Sequence, residues 1–63
     1  MNPGDEFIME WEPWDVQRYR VVSVEVSHII AHRWIATQKK WAPWTVRLKK
    51  SRLVTARPCL VGS

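Results

Sequence analysis

At sixty-three residues the chain is one domain at most (residues 1–63), burying only about 60% of its unfolded surface, so its core is small. A single cysteine, Cys59, excludes an internal disulfide, and two histidines, His28 and His32, argue against a metal staple; a reducing compartment fits this pattern. The net charge of +4 is unevenly spread: residues 1–15 hold five acids and no base, whereas residues 16–63 hold ten bases and one acid, Glu25.

From Gln38 onward there are seven cations (Lys39, Lys40, Arg47, Lys49, Lys50, Arg52 and Arg57) and no acid. A surface of that sign attracts phosphate backbones or acidic proteins. It can equally be a solvated face, partly neutralised by the acidic N-terminal segment. The acidic opening residues lack an apolar leader core, and the apolar runs fall far below the ~20 residues that cross a bilayer. The expectation is a cytoplasmic protein without a membrane partner.

In chain order, Phe7, Met9 and Trp11 alternate with Glu10 and Glu12, the period-two pattern of a half-buried strand, until Pro13 interrupts it. The run 19–26 is rich in β-branched residues, with Val22, Val24 and Val26 on one side, and predicts a second strand. Residues 27–40 admit two readings. A helix would gather Val26, Ile29, Ile30, Trp34 and Trp41 on one arc, but Arg33, Thr37 and Lys40 share that arc and Ser27 lacks a capping-box partner. A strand suits the residue types better and is favoured. Trp44, Val46 and Leu48 then alternate inward against Thr45, Arg47 and Lys49. Lys50-Ser51 reads as a bend and Arg52–Ala56 as a short closing strand, which Pro58 should end.

Trp-x-Pro-Trp-x-Val occurs twice, at Trp11–Val16 and Trp41–Val46. Each proline breaks the ladder before a new strand, and each tryptophan pair can close over a corner of the core. Five tryptophans exceed what one small interior needs, so one or two should face solvent or a partner.

Gly4-Asp5-x-Phe7, the run Tyr19–Val24, Ile29-Ile30-Ala31 and the closing Ser51–Val54 together resemble the small SH3-like β-barrels of bacterial and phage type. The resemblance implies an all-β, five-stranded barrel; the alternative is α+β, a three- or four-stranded antiparallel sheet with a helix at 27–40. Such barrels bind RNA, DNA or short peptides, so the fold alone names no function. Near the C-terminus, Arg57-Pro58-Cys59-Leu60 is similar to the tail of the T7-type phage inhibitor of bacterial RNA polymerase. That resemblance implies a helix at 27–40 and a contact role for Arg57, although the basic charge here departs from that acidic inhibitor.

Catalytic chemistry is not legible. Cys59 follows Pro58 in a terminal tail, where a pre-organised thiolate–imidazole pair with His28 or His32 is not expected. Glu10, Glu12 and Asp15 read as a solvated acidic face, and the polar pore motif of the plasmid-borne small-barrel reductases is missing. No cofactor or metal is expected. Binding is better supported, because Lys39-Lys40-Trp41-Ala42-Pro43-Trp44 sets cations beside indoles. Cations neutralise phosphates, and an exposed indole stacks on a base for about 1–3 kcal/mol. Lys39, Lys40, Trp41, Trp44, Arg47, Lys49, Lys50, Arg52 and Arg57 are the candidate binding residues. Alternatively, Trp41 and Trp44 belong to the core, Trp44 more readily because it leads an inward row. The expected partner is nucleic acid or a nucleic-acid-processing complex. The other reading is a phage- or plasmid-encoded effector that blocks a host protein such as RNA polymerase or a CRISPR nuclease. Self-association stays open.

Overall fold

The computed structural model describes residues 1–58. Its elements are β1 (Glu6–Glu12), β2 (Asp15–Val24), β3 (His28–Ile35), β4 (Lys40–Trp41), β5 (Val46–Lys49), a 3-10 helix (Lys50–Thr55) and β6 (Arg57–Pro58). The protein is all-β, and segment 27–40 is strand and turn rather than helix. Period two decides it: Ile29 and Ala31 are fully buried, while Ile30 and His32 between and beyond them are not.

The strands form an antiparallel meander in the order β4-β3-β2-β1-β6, with β5 also beside β3. Ala31 pairs with Val46 and Ile29 with Leu48, whereas Trp34 pairs with Trp41 further along β3. β4 and β5 therefore share one edge of β3, interrupted by the Pro43–Trp44 bend. The 3-10 helix touches both β5 and β1, carrying the chain across to the far side of β1, where β6 pairs.

The core is Phe7, Met9, Tyr19, Val21, Ile29, Ala31 and Leu48, with Trp11, Val46, Leu53 and Ala56 packed against it. Phe7 and Tyr19, opposite each other in register, stack at 5.3 Å between ring centres. Trp11 Nε1 donates to Tyr19 Oη at 2.9 Å, pairing the indole N–H at the edge of the core. Gly4, at φ 91°, makes the turn that lets its N–H donate to Val21 O while Val21 N donates to Asp5 O, both at 2.8 Å. The Gly-Asp pair thus extends the β1–β2 ladder.

Five expectations are corrected. The second strand starts at Asp15, not Tyr19, because the Pro13–Trp14 turn is tight enough to return the chain at once. The valine row is not its core face: Tyr19 and Val21 are the inward residues, so alternation turns Val22 outward, Val24 beyond the Val21–Ser23 bulge is also exposed, and Val26 lies past the strand. Trp44 does not continue the inward row of Val46 and Leu48, since the bend ends alternation before it. Residues 52–55 of the expected closing strand are 3-10 helix: Leu53 and Ala56, three apart, reach the core, and Ala56 N donates to Leu53 O at 2.9 Å. Pro58, expected to stop a strand, lies in the two-residue β6 at the sheet edge, where no donor is required.

Candidate nucleic-acid interface

Because Tyr19 and Val21 point into the core, Arg18 and Arg20 turn outward from β2. Register places Arg20 between Glu6 on β1 and His32 on β3, and Trp34 on β3 opposite Trp41 on β4. The outer face of the sheet therefore collects two guanidinium groups and two indoles. Trp34 and Trp41 meet edge to face at 5.1 Å. Arg20 Cζ lies 4.4 Å from the centre of the Trp41 ring, and Arg18 Cζ lies 5.6 Å from both indoles. Each such cation–ring contact contributes about 0.5–1 kcal/mol at an exposed site and holds a long, mobile side chain in place.

Glu6 closes this cluster. Arg18 Nε donates to Oε1 at 2.9 Å, Arg18 Nη2 also bonds Oε1, and Arg20 Nη2 is 3.5 Å from Oε2. The Arg18 hydrogen bond holds the Glu6 carboxyl below its ordinary 4.5; desolvation opposes the shift, and the charges of Arg18 and Arg20 reinforce it. His32 faces the same side and donates from Nδ1 to Trp44 O at 2.9 Å, pinning the Pro43–Trp44 bend. His28 uses its Nδ1 on Ser27 Oγ at 2.7 Å. Among the described residues no three metal-ligating side chains gather.

The residues singled out in the sequence fall into three places. Lys39, Lys40 and Trp41 lie in or beside β4, and Lys39 adopts the left-handed φ of 52° in the turn. Trp41 is half-buried beneath Arg20, although the loop reading made it the freer indole; Trp44, expected inward, is 51% exposed. Lys49 and Lys50 sit at the opposite end of β3, since Lys49 pairs with His28 and Lys40 with Ile35. Seven residues of strand put these two lysine pairs about 20 Å apart. Arg47, opposite Ile30 and nearer the Lys49 end, bonds Glu25 at 3.0 Å. Arg52 is on the 3-10 helix, and Arg57 reaches Glu10 at 2.7 Å across the β1 edge. Both carboxylate pairs are well exposed, 62% and 46% for Arg47–Glu25 and 71% and 39% for Arg57–Glu10, so each is worth little and exchanges readily.

Sequence reasoning missed Arg18, Arg20, His32 and Trp34. The available signal was Arg18-x-Arg20 flanking a core Tyr19, since period two must send both outward together. Their meeting with Trp34 and Trp41 depends on register, which composition does not carry. Cys59 and Leu60 of the tail motif lie outside the described residues. No helix in the described range is long and apolar enough to cross a membrane. Neither a protein-family model, nor a curated protein, nor a solved structure matches the chain.

Proposed function

We propose that this chain is a non-enzymatic module of the small SH3-like barrel type that binds single-stranded nucleic acid on the outer face of β2, β3 and β4. The carrying observation is the layering of Arg18 and Arg20 on Trp34 and Trp41. It joins the two ingredients of sequence-tolerant single-strand binding, cations for the backbone and planar groups for the bases, here guanidinium planes backed by indoles. Guanidinium groups held on indoles are pre-organised, which lowers the entropy lost on binding. Lys39 and Lys40 add positive charge at the β4 end of the sheet, Lys39 from the turn, and Arg47, exchangeable from Glu25, extends the face towards β5. A strand rather than a duplex is favoured because the aromatic part is useful only to bases free of a stack.

The test is a tryptophan-fluorescence titration with single-stranded RNA, single-stranded DNA and duplex oligonucleotides at two salt concentrations. Saturable quenching by single strands that weakens steeply with salt is expected, with duplex bound less tightly. Absence of binding to any of the three at about 50 mM salt, where phosphate contacts are strongest, rejects the reading. Retention of a host protein on the immobilised chain after nuclease treatment would then favour the effector reading.

A further inference from the structure

We infer that Glu6 occupies the seat of a phosphodiester, so that a nucleic-acid strand binds by displacing this carboxylate from Arg18 and Arg20. The inference rests on the reading of this face as a single-strand site and identifies its primary anion position. One carboxylate is held by two guanidinium groups, through both of its oxygens. Two arginines converging on two oxygens of one anionic centre is the arrangement by which guanidinium groups bind phosphate.

Two observations make the seat exchangeable. First, Glu6 is not the arginines' only support, because both also lie against the Trp34–Trp41 pair. Second, the cluster is open to solvent: the Arg20 side chain is 45% exposed, Arg18 31% and Glu6 20%. A phosphate arriving there lies beside both indoles, within reach of a base stacked on the same face. Glu6 sets a threshold: it screens the arginines from weak anions and yields to a ligand that adds base stacking and further cation contacts to its phosphate.

The experiment compares the wild type, Glu6→Gln and Glu10→Gln in binding an eight-nucleotide oligothymidylate. Removing Glu6 is expected to raise affinity about tenfold at 50 mM salt and to steepen the slope of log K against log salt by about 0.7, one phosphate's share on a single strand. Glu10→Gln, an equal change in net charge on the Arg57 side of β1, should raise affinity less than twofold. The side-chain Nε–H signals of Arg18 and Arg20 in the wild-type protein should move on saturation, while that of Arg57 stays. Wild-type binding with no gain in Glu6→Gln, an equal gain in Glu10→Gln, or stationary Arg18 and Arg20 signals overturns the inference and leaves the proposed function standing. If neither the wild type nor Glu6→Gln binds the oligonucleotide at 50 mM salt, both fall together.

Discussion

Tyr19 shows how one side chain ties the core to its edge. Its ring stacks on Phe7, and its hydroxyl accepts from Trp11 Nε1 at 2.9 Å. Burial pushes the phenol above its ordinary 10.0, while the Trp11 hydrogen bond and the nearby Arg33 charge oppose that shift. A folded state that resists losing this proton is destabilised relative to an unfolded state that releases it. The contribution is therefore intact below pH 10 and is lost as pH rises from 10 through the raised folded value. Tyr19→Phe strands the Trp11 N–H in a half-buried place and should cost about 1 kcal/mol in urea denaturation at pH 7. Because Tyr19 is the chain's one tyrosine, the gap between wild type and variant should narrow above pH 10. A gap that stays constant to pH 11 would show that the hydroxyl is not desolvated in the folded protein.

At the scale of elements, the two Trp-Pro-Trp corners do related but unequal work. In each, the first tryptophan is half-buried and the second exposed: Trp11 and Trp41 against Trp14 and Trp44. The first corner is a hairpin turn between β1 and β2; the second is a bend that divides the strand beside β3 into β4 and β5. The 3-10 helix is the other informative element, because its sequence alternates well enough to pass for a strand. What selects the tighter winding is that Leu53 and Ala56 must reach the core from a segment crossing between β5 and β1. Leu53→Ala should then lose about 2 kcal/mol, whereas Val54→Ala, at a position 85% exposed, should change stability by less than about 0.5 kcal/mol. Urea midpoints measure both, and equal effects would mean that the segment does not seal the core by its three-residue spacing.

Over the whole molecule, the charge asymmetry of the sequence becomes a pattern of pairing. The acidic N-terminal segment is not a tail: as β1 it lies between β2 and β6, and its Glu6 and Glu10 meet Arg18, Arg20 and Arg57. Among the described residues no ion pair holds Lys39, Lys40, Lys49, Lys50 or Arg52. The two lysine pairs nevertheless differ in place, one beside the arginine–indole cluster and the other at the far end of β3. Replacing Lys39 and Lys40 together by Ala should weaken oligothymidylate binding about fivefold at 50 mM salt, against less than about twofold for Lys49 and Lys50. Equal losses, measured by fluorescence titration, would indicate a diffuse cationic surface instead of a face centred on β2 to β4.

The alternation of Phe7, Met9 and Trp11, the β-branched second strand and the proline corners were legible along the chain, because strand periodicity and ladder-breaking are local properties. So was the preference for strand over helix at 28–35, where no helical arc stays apolar. Three features were not. The inward face of β2 depends on the register that sets Tyr19 opposite Phe7 and Val21 opposite Ala31, the winding of 50–55 depends on the gap it spans, and the company of Arg18 and Arg20 depends on which strands lie beside β2. Those are relations between distant residues, and nothing in the order of side chains along one strand states what the neighbouring strand will place beside them.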